Sequence, residues 1–334
     1  MPATIKDVAR VAGVSVTTVS HALNGHGDVN ADTRDRVLAV AKELNYRPSH
    51  VARSLVLQQT HNVGLLVSDF NANPGGHHFL FDVMAGVHDQ LAALGYDMTL
   101  LSTTTARQRV VSYIDFCTER RMEGVIVMGM RMNDPYMREV ADAKLPSVGI
   151  DLPILSPSCG YVMTDNIQGA MQAVQHLLLK GHQRIGFING YAEAVVCVDR
   201  LDGYQTALQQ AGLEMDPDLV VHSNFLVQGG EEATAALLTK APDVTAIFYA
   251  SDLMAVGGMR QLQRMGKRVP YDVAVVGFDN IDLGEWVVPA LTTVGQRRHD
   301  MGKASVDMLM SMLHRQERPR ACLLTPEMVV RQST

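Results

Sequence analysis

The stretch VSVTTVSHALNG, Val14–Gly25, decides how the chain is to be read. At helical spacing its two sides are unlike. Val19, Ala22 and Leu23 fall together on one side. Thr17, Thr18, Ser20 and His21 show on the other, all short hydrogen-bonding side chains with no acid among them, and Val16 stands beside them. Ser15 occupies the place of a helix N-cap, and Val14 and Val19 are spaced as a hydrophobic staple.

Working outward, Thr4 can cap a helix through IKDVARVA. Asp7 complements that helix's N-terminus; Ile5, Val8, Ala9 and Ala12 form its apolar stripe, and Gly13 ends it. Downstream, Asn30 caps ADTRDRVLAVAKELN, whose Val37, Val40, Ala41 and Leu44 close a small core. Helix, glycine-containing turn, helix is the helix-turn-helix pattern. A second helix of this composition fits the major groove of B-DNA, where hydroxyls and imidazole reach base edges and the Val16 and Thr17 methyls meet a thymine methyl. A solvated surface is the plainer reading, though such surfaces usually show Glu and Lys. In YRPSHVARSLVLQQTHN, Pro48 breaks the third helix, and Ser49 can start a short one carrying Val51, Ala52 and Leu55. That helix is too short to hold in water alone, so it reads as a linker folding against a partner, or else as an exposed tether.

The 334 residues, 47% hydrophobic and 19% charged, suit a soluble globular protein of two or three domains. No apolar run reaches the roughly 18 residues of a membrane span, and MPATIKDVAR lacks an apolar signal core. No membrane partner is expected, and a cytoplasmic location is. Cys117, Cys159, Cys197 and Cys322 are scattered without a CxxC pair and read as buried thiols. The net charge of −6 at first argues against nucleic acid. Residues 1–60, however, hold seven Lys and Arg against five acids, leaving a head of about +2 on a body of about −8.

The motifs TIKDVARVAGVSVTTVSHALNG and VNADTRDRVLAVAKELNYRPSHVARSL together resemble the LacI/GalR family of bacterial repressors. The resemblance runs from Thr4 to about Val330. It implies that Val16, Thr17 and His21 are the main base readers and that Thr4, Thr18, Ser20, Asn24 and Tyr46 position phosphates. It also implies that the linker, with Arg53, forms paired hinge helices on DNA, Leu55 acting as a minor-groove wedge. Many relatives carry Arg where this chain has His21, so the operator should differ accordingly.

From His61 onward, apolar runs alternate with helical patterns. VGLLVS, DMTLLS, GVIVMG and SVGID form one set; RIGFING, DLVVHS, TAIFYAS and VAVVGFD form a second. This predicts two α/β lobes with parallel sheets, and ligands of such sheets bind beyond the carboxyl ends of the strands. Ser68, Asp69, Asp151, Ser251, Asp252, Asp279 and Asn280 cluster at those ends. No GxGxxG, Walker loop or GxSxG elbow is present, so no catalytic residue and no cofactor is expected. The GGHH stretch, Gly75 to His78, with Asp69 or Asp82 could suggest a metal. Adjacent histidines rarely face one ion, and the stretch reads rather as a loop lining the cleft or open to solvent.

Here too the resemblance continues, through TDNIQGAMQAVQHLLLKGHQRIGFING, DRLDGYQTAL, ASDLMAVGGMRQLQRMGKRVPYDVAVVGFDN and PALTTV. It implies a body similar to periplasmic sugar-binding proteins. Arg200 would then hold the ligand's polar groups, Asp151 and Asp279 would accept from hydroxyls, and Ser251 stands where relatives often have Asn. Phe225 would stack on an apolar ligand face, and Phe79, with Asp69, would line the opposite side. Arg200 as an inter-lobe ion pair and Phe225 as plain core are the other readings. Asp165 and Asp252 read as N-caps and His182 as a structural cap at a helix end, while Trp286 and the methionine-rich stretches read as packing or interface. One departure, GGHH after Asn73-Pro74, edges the cleft, so the ligand's identity cannot be borrowed from any relative; a second is Val195-Val196-Cys197, more apolar than many sugar-binding members show there.

The expected organisation is a helix-turn-helix DNA-binding domain at residues 1–47, a hinge helix and linker at 48–60, and a two-lobed effector-binding and dimerisation domain at 61–334. The expected function is a homodimeric repressor reading a pseudo-palindromic double-stranded operator under control of a small effector. A sugar or glycoside is the first choice and a nucleobase the second; a solute-binding protein without a DNA role is the remaining reading.

Overall fold

The structure, a computed structural model, describes residues 3–23, 28–46, 60–68 and 77–334, without the side chains of His77 and His78. Asn24, Arg53, Leu55, Asp69, the expected hinge helix and the glycines of GGHH lie outside the described residues. Two compact units divide at Thr60, Met1–Thr60 and His61–Thr334.

The first unit holds α1 (Ile5–Ala12), α2 (Val16–Leu23) and α3 (Ala31–Glu43). Each begins as its sequence predicts. The Thr4 backbone N–H and hydroxyl both donate to Asp7 Oδ2, at 3.0 and 2.7 Å. The Thr18 N–H donates to Ser15 Oγ (3.0 Å) and the Thr33 N–H to Asn30 Oδ1 (2.8 Å). Gly13 ends α1 at φ 68°, a left-handed conformation that costs glycine nothing. Val8, Val19 and Val37, one from each helix, are fully buried at the centre. So small a core depends on those caps, each of which contributes about 1 kcal/mol.

The second unit has two lobes. The chain first lays down β1 (Asn62–Ser68), α4 (His77–Ala93), β2 (Asp97–Thr103), α5 (Thr105–Gln108), α6 (Tyr113–Thr118), β3 (Gly124–Met128), α7 (Tyr136–Asp142), β4 (Ser147–Ile150) and β5 (Cys159–Thr164). It crosses to build α8 (Asn166–Leu179), β6 (Ile185–Asn189), α9 (Val195–Gln210), β7 (Val220–His222), α10 (Val227–Lys240), β8 (Ala246–Tyr249), α11 (Asp252–Arg264), β9 (Ala274–Asp279), α12 (Leu283–Trp286) and β10 (Thr292–Gly295). It returns for α13 (Arg298–Leu313) and β11 (Ala321–Leu324), then crosses again to end near β12 (Glu327–Val329). The sheet orders are β11-β5-β4-β3-β1-β2 and β12-β10-β9-β8-β6-β7. All pairings are parallel except β12 with β10.

The eight expected strands are present. The structure adds β5, β10, β11 and β12, short runs beside the crossings whose Cys, Gly, Thr and Glu dilute the apolar signal. The crossings lie side by side. Thr164 Oγ1 donates to Gln296 Oε1 (2.7 Å), and the Asp165 N–H donates to the Leu324 carbonyl (2.9 Å). Asp165 caps α8 as predicted, its carboxylate accepting from the Gln168 N–H at 2.9 Å. Asp252 does not cap α11. Ser251, one residue earlier and in extended conformation, accepts from the Met254 N–H at 3.3 Å. Asp252 is the first helical residue, fully buried, and takes the Ile281 N–H (2.8 Å) and the Thr293 hydroxyl. Either residue could cap in isolation; burial of the carboxylate against β10 and the turn after β9 decides between them. His182 does close the end of α8, its N–H donating to the Leu177 carbonyl at 3.2 Å.

Helices α4 and α13 touch backbone to backbone. A Cβ on Gly86 would stand 2.0 Å from the His299 carbonyl oxygen, and one on Gly302 2.3 Å from that of Val83. Gly86→Ala must therefore push the helices apart over a core holding Val83, Val87, Met301 and Val306. We expect the body to lose about 2–3 kcal/mol, read as a lower thermal midpoint. An unchanged midpoint would mean that the helices can part without loss.

Candidate functional site

On the head, the structure places the predicted readers on one side of α2. Val16 and Thr17 are exposed and Thr18, Ser20 and His21 half-buried, while Val19 and Ala22 face the core. Thr4 and Ser15 cap the first two helices, and Tyr46 packs partly against the core. One partner escaped the sequence reading: His21 Nδ1 lies 2.6 Å from Asp28 Oδ2. The acid is seven residues on, beyond the end of α2, where helical periodicity carries no signal.

On the body, a cavity of about 340 Å³ opens where the two sheets end. Phe79, Asp151, Arg200, Phe225, Ser251 and Asp279, six of the seven predicted residues, line it together; Asp69 lies outside the described residues. Their common origin is topological. Ser68 ends β1, Met128 ends β3, Ile150 and Asp151 close β4, Ser251 follows β8, Asp279 ends β9 and Gln296 follows β10.

The cavity has a polar end organised by Arg200. Buried to 3% exposure, its guanidinium lies 3.8 Å over the Phe278 ring. Its Nε donates to Asn166 Oδ1 (2.9 Å) and its Nη1 to the Ala250 carbonyl. Asn166 in turn donates to the Thr164 carbonyl at 3.0 Å, so the fork is aimed by the first crossing. Two acids face it electrostatically. Burial pushes the Asp151 carboxyl up to about 7, against the pull of Arg200 and with the push of Asp279. Burial likewise raises Asp279 against Arg200, and it raises Asp252 behind it, with Asp279 adding to the effect. Asp151 Oδ1 is buried without a hydrogen-bond partner. Asp279 Oδ1 accepts from Gln296 Nε2 (2.6 Å), the same glutamine that takes Thr164. Asp151 (φ 55°), Phe225 (φ 62°) and Asp279 (φ 121°) all hold left-handed backbone, a strain of about 1–3 kcal/mol each that the surrounding packing sustains.

The other end is apolar. Tyr191 and Phe225 stand 5.9 Å apart, and Met128, Met130, Ile150, Leu152, Val195 and Val196 complete the wall. Arg131 of the first lobe lies 4.9 Å over the Tyr191 ring of the second, and the Met132 N–H donates to the Glu193 carbonyl at 3.3 Å. Tyr191, Arg131 and Gln296 were missed in the sequence. They sit in loops, where only long-range pairing reveals them. The arrangement can hold a ligand of about ten to twenty heavy atoms with hydroxyls at one end and a flat apolar face at the other. Among the described residues no cluster of three or more His, Cys, Asp or Glu could hold a metal ion, and no helix is long and apolar enough to cross a membrane.

Comparison with known proteins places these parts. Residues 4–49 match the pattern of bacterial regulatory proteins of the lacI family, and residues 174–334 match the periplasmic binding protein-like domain. The HTH-type transcriptional repressor PurR of Photobacterium profundum is 34% identical over 333 residues, 99% of this chain and 98% of the relative. The structure of a transcriptional regulator CelR–cellobiose complex superimposes with a TM-score of 0.77 at 34% identity, covering 99% of this chain and 100% of that one. The lac repressor dimer bound to operator and the anti-inducer ONPF superimposes with a TM-score of 0.86 at 28% identity, covering 100% and 99%.

Proposed function

The chain belongs to the LacI family of bacterial regulatory proteins, and on that premise we propose that it is an effector-controlled transcriptional repressor acting on operator DNA, and not an enzyme. The observation that carries the reading is the capped three-helix head whose second helix turns Val16 and Thr17 to solvent with no acid on it. Val16, Thr17 and His21 read bases; Thr4, Thr18, Ser20, Asn24, Tyr46 and Arg53 meet phosphates; Leu55 wedges the minor groove. The protein acts as a homodimer in the cytoplasm, and its two-fold axis sets a pseudo-palindromic operator. One head makes few phosphate contacts, so affinity depends on dimerisation and falls steeply with salt.

The effector is a small carbohydrate or glycoside in the body's cavity. Arg200, Asp151, Asp279 and Ser251 take its hydroxyls, and Phe225, with Phe79 across from it, takes its apolar face. The CelR structure holds cellobiose, which favours this choice. A nucleobase is the second reading, favoured by the PurR relatives and by the paired rings of Tyr191 and Phe225. Ligand binding changes how the lobes sit, and the linker at 48–60 forms or melts accordingly; a coupling of about 1–3 kcal/mol suffices.

His21→Ala tests the head. Operator affinity should fall roughly tenfold or change its base preference, with effector binding untouched, as measured by fluorescence anisotropy on labelled duplex. Unaltered DNA binding would remove α2 as the reading helix. A thermal-shift screen of the protein against sugars and purines decides the effector class, because a ligand of the folded state alone raises the midpoint.

A further inference from the structure

We propose that Asp28 is a specificity-determining residue that acts through His21, fixing the imidazole's tautomer and orientation and so the base edge that α2 can read. The inference rests on the DNA-reading role of that helix. Asp28 Oδ2 lies 2.6 Å from His21 Nδ1, with side chains 60% and 36% exposed. The pair sits in a shallow concavity with Ser15, Thr17, Thr18 and Asn30, a surface of hydroxyls and amide in which Asp28 is the acid.

An ionised carboxylate only accepts hydrogen bonds, so Nδ1 must carry the hydrogen. Where the ring is neutral, its lone pair then resides on Nε2, which is an acceptor. In the major groove an acceptor matches an exocyclic amine, N4 of cytosine or N6 of adenine, and opposes the O6 and N7 of guanine. The other tautomer would reverse that preference. The carboxylate has a second consequence. A negative charge on a surface that meets phosphates weakens binding to every sequence alike. A residue that lowers general affinity while fixing a base reader raises the contrast between operator and random DNA.

The test uses the full chain against a randomised double-stranded DNA library. Wild type should enrich a two-fold symmetric motif. Asp28→Asn, which can donate to Nδ1 as well as accept from it, should lose roughly tenfold discrimination at one symmetry-related pair of positions, while its affinity for random duplex rises. In the His21→Ala background the same substitution should no longer change discrimination. Equal losses at all positions, or effects of the two substitutions that simply add, would leave Asp28 a general stabiliser of the head and overturn the proposal. A motif enriched identically by wild type and Asp28→Asn would also overturn it. If wild type enriches no motif, the DNA-reading role and the proposal fall together.

Discussion

Arg200→Ala abolishes the effector response and lowers the body's stability by about 3–5 kcal/mol, while operator binding by the head persists: this is the largest effect expected of any single change. The side chain is almost fully buried, and its loss leaves Asn166 Oδ1 and the Ala250 carbonyl without their donor. It also removes the cation that holds down the Asp151 and Asp279 carboxyls, so two buried acids lose their compensation. The thermal midpoint should drop on the order of 10 °C. Arg200→Lys separates the two roles. It keeps the charge, and so most of the stability, but loses the planar fork that, on the proposed reading, meets the effector's hydroxyls. If Arg200→Lys, still folded, answers the effector as wild type does, the guanidinium is no ligand.

The second large effect concerns Asp151 and pH. Its carboxyl ionises at about 7 in the folded protein against an ordinary 3.8, because burial opposes the charge. Between those values the folded state holds a proton that the unfolded chain has released. Stability from this group is therefore complete below about pH 4 and drains away as pH rises through 7. Asp151→Asn removes the penalty. At pH 8 the variant should be more stable than wild type by up to about 4 kcal/mol, and the gap should close toward pH 4. The raised Asp279 and Asp252 contribute in the same direction, so some slope remains in the variant. Chemical denaturation at pH 5, 6.5 and 8 measures it; parallel curves for the two proteins would show that Asp151 ionises as an exposed acid. Affinity for the effector should fall in the variant above about pH 7, where wild type presents a carboxylate at the cavity and the variant only a neutral amide.

Among the described residues, the three helices of the head were legible. Its caps are local chemistry, and Thr4, Ser15, Asn30 and Gly13 each do in the structure what a four-residue window predicts. Most of the cavity was legible for a different reason. A polar residue ending an apolar run marks a strand's carboxyl end, and parallel topology brings such ends together, as with Asp151 and Asp279. What escaped was non-local. Tyr191 meets Arg131 only because two lobes approach, and Gln296 matters only because three crossings lie side by side. The misplaced cap at Asp252 has the same origin, since β10 and the turn after β9, distant in sequence, claim its carboxylate.

Three neighbouring tethers also restrict what the body can do mechanically. With Thr164 bonded to Gln296 and Asp165 to Leu324, the connections behave as one strip, so the halves can fold or twist about it but cannot slide apart. On the proposed reading, an effector seated in the opening works against that constraint. On that reading, recognition could be rewritten in the loops at Arg131 and Tyr191, or at Val195 where α9 begins, without touching the connections that carry the response.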